Sequence, residues 1–207
     1  MTTPFSYPKA RHARSQTPGA YADYRRYKPF LQIEFERKCV YCRTPDTMKG
    51  YEGFGVDHYR PKKKFPSFST VYSNLFYCCN QCNTRKGEYW PIPSLETTHF
   101  IPNPCDHVMF ANLQFKGVEV HPKSQAGIIA IDYLDLNDDA SLEHRQLVNF
   151  ALDMFESKRK EIQRLIEGVA AKRAAGEKSA HEATAARNKL QLQLSEVEAN
   201  IRRLCGV

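Results

Sequence analysis

The chain has 207 residues, 42% of them hydrophobic with 12 Phe and 11 Tyr, which is enough for a buried core in one or two domains. No apolar run approaches the roughly 18 residues of a membrane helix, and the opening MTTPFSYPKARHAR lacks the apolar stretch of a secretion signal, so a soluble cytoplasmic protein with no membrane partner is expected. A formal charge of +7 suits a polyanionic partner without demanding one, and seven cysteines, an odd number, favour metal ligation over a disulfide framework.

In chain order, residues 1–37 form a basic segment rich in Tyr and Arg, including Tyr24, Arg25, Arg26, Tyr27 and Lys28, and read as an arm with a short helix. Residues 38–107 are dense in Cys, Pro and aromatics with poor periodicity, as expected where a bound metal fixes the loops. Residues 108–207 are mostly helical. Within them, 113–120 read as two short strands around Lys116-Gly117, and 127–136 as a short helix. Apolar residues then recur in steps of three and four at Leu147, Ala151, Met154, Ile162, Leu165 and Val169, and again at Leu190, Leu194, Val197, Ile201 and Leu204. Asp138 or Asp139 can cap the first of these helices, and Gly176 breaks it from the second, giving a long antiparallel hairpin. A helix over residues 140–175 would be about 54 Å long. Either part of it projects toward a partner or the hairpin packs on itself.

Two C-x-x-C pairs, Cys39-Val-Tyr-Cys42 and Cys79-Asn-Gln-Cys82, each present two thiolates from one tight knuckle, and together they specify a tetrahedral zinc site. Cys78 rivals Cys79 as a ligand, but its spacing to Cys82 makes a looser knuckle; Cys105 and Cys205 read as buried small residues. The residues between the pairs exceed a zinc-ribbon loop, so something folded fills the gap. Its first half carries Asp57-His58 at the end of a short apolar stretch, a carboxylate for a divalent cation beside an imidazole for a water. Arg60, Lys62, Lys63 and Lys64 follow, interleaved with Phe65, Phe68 and Tyr72, as in a groove that tracks a phosphate backbone or in a plain solvated loop. The second half runs from Asn74 through an aromatic strand into a short helix ended by Gly87 and Pro91, so the insert reads strand, strand, helix. Asn83 directly follows a zinc ligand and can face Asp57; Lys86 shares its helix face at i+3 and, with Arg85, is expected to meet phosphate.

Two C-x-x-C pairs, Asp-His-x-x-Pro, a middle Asn and Asn-x-x-Lys-Gly after the last Cys resemble the HNH nucleases with a ββα-metal fold, over residues 39–87. Tyr89-Trp90-Pro91, Asn103-Pro104-Cys105-Asp106 and Leu134-Asp135-Leu136-Asn137 extend the resemblance to bacterial anti-phage defence HNH proteins, including Septu and retron effectors. The resemblance implies an α+β fold: a ββα HNH core with a four-cysteine Zn²⁺ site, followed by the helical hairpin. It implies a general base in His58, a catalytic Mg²⁺ or Mn²⁺ on Asp57 and Asn83, and Asn74 orienting the His58 loop. It also implies a DNA substrate, with RNA as an open alternative, and a regulatory partner such as an ATPase docked on the helical tail. Two rival readings remain: a non-catalytic zinc module that binds nucleic acid or protein, and a ribonuclease or tRNA-directed toxin built on the same site. The first has no use for Asp57, His58 and Asn83.

Overall fold

A computed structural model describes residues 3–206. The insert between the two C-x-x-C pairs folds as expected. Strand β1 (Phe54–His58) pairs antiparallel with β2 (Leu75–Cys79), setting Asp57 opposite Phe76 and His58 opposite Leu75. β2 is buried at every position, and Leu75, Phe76 and Tyr77 pack with Phe54 and Val56 in the main core. The following helix α3 (Asn80–Lys86) ends where Gly87 turns to φ +52°, its N–H bonded to Asn83 O, a conformation that glycine adopts without strain. α3 lies directly on β1: a Cβ added at Gly55 would come within 3.2 Å of Asn80 Oδ1 and 3.6 Å of Asn83 Nδ2. Glycine there sets the close approach.

Before the ββα unit come helix α1 (Lys28–Glu34) and the short α2 (Asp46–Lys49), with the first cysteine knuckle between them. The Val40 N–H donates to Tyr77 O at 3.1 Å, which hangs that knuckle on β2. After it come α4 (Met109–Asn112), a hairpin of β3 (Leu113–Lys116) and β4 (Glu119–Pro122), and α5 (Gln125–Leu134), matching the expected strands and short helix.

α6 (Asp139–Ala174) is capped by Asp138, whose carboxylate accepts from Ser141 N; α7 (Ala180–Cys205) starts with a capping box of Ser179 and Glu182. Gly176, at φ +75°, makes the break between them. The hairpin packs both on itself and on the rest of the fold. Toward its tip the two helices bury Ile162 and Ala183, whereas at its base Val148, Leu152, Ile201 and Cys205 close over Phe5, with Met48 and Phe115 beside them.

The first 37 residues are not a separate unit. Phe5 and Tyr7 are 2% and 5% exposed, and Tyr7 OH donates to Tyr41 O inside the first knuckle. Further along the arm, the Glu34 carboxylate gathers the Ser15 and Gln16 backbone N–H groups, His12 Nε2 and Tyr72 OH. Burial alone would raise the Glu34 pKa, but these donors hold it down at about 2. One buried carboxylate thereby ties arm, α1 and the loop before β2.

Candidate active site

The four knuckle thiols come together. Sγ atoms of Cys39, Cys42, Cys79 and Cys82 all lie within 4.8 Å of one another and are buried, a set that could hold a zinc ion. Cys78 stands beside them, its Sγ 3.9 Å from Cys39 Sγ, with its thiol turned to Cys79 O, and is not one of the four. Cys205 is buried in the hairpin base and Cys105 is half-buried, each apart from the cluster.

Asp57, His58 and Asn83 line one cavity of about 280 Å³ together with Tyr24, Lys62 and Glu88. The His58 imidazole sits edge-on to Tyr24, ring centroids 4.5 Å apart, with Nε2 2.9 Å from Ser69 O. A carbonyl oxygen only accepts, so Nε2 carries the proton and Nδ1 keeps the basic lone pair. Burial lowers the His58 pKa below 6.5, assisted by the Lys62 and Lys86 charges and opposed by the Ser69 bond and Asp57. The ring is therefore held neutral. Asn74 fixes the loop that supplies Ser69: its Oδ1 accepts from Arg60 N at 2.8 Å and its Nδ2 donates to Arg60 O and Phe68 O.

Asp57 is 2% exposed and has two partners that the sequence did not point to. Tyr41 OH donates to Oδ2 at 2.6 Å, and Lys86 Nζ lies 2.9 Å from Oδ1. Tyr41 sits between the two cysteines of the first knuckle, so the thiol cluster reaches the carboxylate through one side chain. Burial and the Asp57 charge push the Tyr41 pKa well up, keeping its hydroxyl a donor. Each carboxylate oxygen can accept more than one bond, so Asp57 retains acceptor capacity toward the cavity. Asn83, half-buried, lines the same cavity.

Two residues expected at phosphate are engaged within the fold. The Lys86 ammonium is 1% exposed, paired with Asp57 and donating to His58 O at 2.8 Å. The i+3 spacing from Asn83 put it on the inner face, where a buried carboxylate claimed it. Arg85 points the other way, donating to Leu134 O, Asp135 O and Asp138 Oδ2 at the junction of α5 and α6. It closes a helix C-terminus. Arg60, Lys62, Lys63 and Lys64 are exposed, as a phosphate-tracking loop requires, with Lys63 in contact with Glu88 at 2.6 Å. Arg60 covers Phe68 and Lys62 covers Tyr24, which stiffens both cations over aromatic rings.

Tyr24, Tyr41 and the Ser69 carbonyl touch His58 or Asp57, contacts that residue spacing does not reveal because each arrives from a separate segment. Only the position of Tyr41 inside a knuckle offered a hint.

Residues 39–88 match the family model described as HNH endonuclease. Septu protein PtuB of Bacillus thuringiensis is 26% identical over 114 residues, covering 52% of this chain and 43% of that protein. The match thus spans less than half the length of the relative. No solved structure matches the chain. The buried four-cysteine cluster and the ββα unit it brackets agree with the family match: residues 39–88 are similar to the HNH endonuclease domain.

Proposed function

We propose that the chain is a metal-dependent endonuclease that hydrolyses phosphodiester bonds of DNA, as the nuclease component of a bacterial anti-phage defence system. The observation that carries the reading is the convergence of a neutral His58, Asp57 and Asn83 on one cavity beside an exposed basic loop. A zinc module that only binds would have no need of an imidazole with one nitrogen fixed and the other free.

The donors suit a hard cation. Asp57 and Asn83 offer carboxylate and amide oxygens, and with water they would hold Mg²⁺ or Mn²⁺, while the thiolates of Cys39, Cys42, Cys79 and Cys82 would hold Zn²⁺. A divalent ion so placed supplies charge for the scissile phosphate and the departing oxygen. His58 Nδ1 would take the proton of the attacking water, and the Nε2 bond to Ser69 keeps the ring in that tautomer. Asn74 holds the loop that fixes the ring, and Arg60, Lys62, Lys63 and Lys64 would hold the strand. Lys86 and Tyr41 hold the Asp57 side chain in place, one on each oxygen.

The similarity to Septu protein PtuB supports the defence role. A regulatory ATPase would dock on α6, where Leu147, Phe150 and Met154 form a stripe 68%, 64% and 59% exposed. Supercoiled plasmid and structured RNA, offered side by side with Mg²⁺ or Mn²⁺, test the substrate. Cleavage of the plasmid with RNA spared is expected; the reverse would make the protein a ribonuclease.

A further inference from the structure

Beside the candidate active site lies a second groove, of about 380 Å³, walled by Lys64, Tyr89, Trp90, Ile92, Leu95 and Tyr133. Its lining combines apolar side chains, of which Ile92 is 61%, Tyr133 46% and Leu95 37% exposed, with Lys64 and His99. Aromatic contacts brace its walls. The Tyr89 and Tyr133 rings meet at 3.9 Å between centroids, locking α5 to the segment after α3, and Trp90 is braced edge-on by Phe65 and Tyr59 with its Nε1 donating to Glu96.

The same two segments wall both cavities. Pro61 and Lys62 line the catalytic cavity and Lys64 the groove; Gly87 and Glu88 line the first and residues 89–92 the second. The Lys64 N–H closes a turn onto Pro61 O at 3.0 Å, so the Cα atoms of those two residues are within about 7 Å. A stacked strand rises about 3.4 Å per nucleotide. A strand held by Lys62, Lys63 and Lys64 with its scissile phosphate at His58 would therefore pass the groove some two or three nucleotides away.

We propose that this groove is a nucleobase-binding subsite that takes one unpaired base, flared or flipped from the strand being cut. The inference rests on the nuclease reading above and adds the substrate's form. Ring faces and aliphatic edges suit a flat, weakly polar heterocycle, while the Lys64 ammonium in the same lining is placed for a neighbouring phosphate. In a duplex the base faces are covered by their neighbours, so this surface favours single-stranded or locally opened nucleic acid. Arg60, which lies over Trp90 and Phe68, and Lys64 would hold the phosphates on either side.

Trp90 is the chain's single tryptophan and reports on the groove directly. The full-length His58→Ala protein, which leaves the strand intact, is titrated with a short single-stranded oligonucleotide, the same strand carrying abasic sites, and its duplex. Binding is followed by anisotropy of a label on the strand, and Trp90 by its own emission. The expected result is quenching by the intact strand, little by the duplex or abasic strand, and about tenfold weaker intact-strand binding in Tyr133→Ala, as loss of one stacked base implies. Equal affinity and equal Trp90 response for intact and abasic strands overturns the subsite and leaves the groove to a protein ligand. Failure of any strand to bind by anisotropy overturns the nuclease reading itself, which separates the two failures.

Discussion

At the scale of residues, the account turns on how His58 is held. Its Nε2 is committed to Ser69 O and its pKa is lowered by burial, so the base is ready over a wider acid range than a free imidazole. The base must be deprotonated to act, so cleavage is expected to fall as pH drops, along an acid limb centred below 6.5. A pH–rate profile whose limb is centred above pH 7 would count against this role. His58→Ala should cost about 10²–10⁴-fold in rate, or abolish detectable nicking, while the zinc content stays unchanged. Tyr41→Phe is a finer probe, since it removes only the bond to Asp57 Oδ2. A bond to a charged group is worth about 1.5–3 kcal/mol, so roughly a tenfold or greater loss of cleavage is expected with Zn²⁺ retained, and a wild-type rate would remove Tyr41 from the site. That Asp57, His58 and Asn83 share one cavity was legible in the sequence because short motifs carry them. Tyr41 and Lys86 were not, because their roles depend on which side of α3 and which turn of the knuckle face a buried carboxylate.

Among elements, the two knuckles and the ββα unit behave as one device. Cys82 is followed by Asn83, and Tyr41 stands between Cys39 and Cys42 while reaching Asp57, so the thiol cluster positions both oxygen donors. Cys82→Ser should therefore lose zinc, solubility and cleavage together, measured by metal analysis and nicking on the same sample. Cleavage that survives zinc loss would uncouple the two sites. The Glu34 clamp gives a separate expectation for stability. Its folded pKa of about 2 lies below the ordinary 4.5, so its contribution is complete above that ordinary value and lost as pH falls from about 4.5 toward 2. Thermal melts of wild type and Glu34→Gln should differ at pH 7 and converge toward pH 2; an equal gap at both would refute the clamp. β1, β2, α3 and the long hairpin were legible from a short apolar stretch, an aromatic run, helix stops and caps, and steps of three and four. The burial of Phe5 and Tyr7 was not, since an arm without periodicity shows no face, and its place is decided by a distant helix base and by Tyr41 O.

For the whole molecule, the hairpin is both scaffold and surface. Its base covers Phe5 and Arg145 docks α6 by donating to Leu136 O at 2.7 Å, so deleting residues 140–207 would strip the core as well as any docking face. Charges introduced on the exposed stripe are the cleaner probe: Phe150→Asp with Met154→Asp should abolish association with a co-encoded ATPase and leave plasmid nicking intact. Association that survives these changes would move the partner elsewhere. The net charge of +7 suits a polyanion without demanding one; Arg60, Lys62, Lys63 and Lys64 present exposed charge next to His58, whereas Arg85 and Lys86 are paired with carboxylates of the fold. The most direct measurement of the central claim is nicking of supercoiled plasmid by the zinc-loaded protein with Mg²⁺ or Mn²⁺ added, compared with His58→Ala and with EDTA. The account predicts nicking by wild type only, and only with the divalent ion; equal nicking by His58→Ala, or none by wild type under any divalent ion, would contradict it.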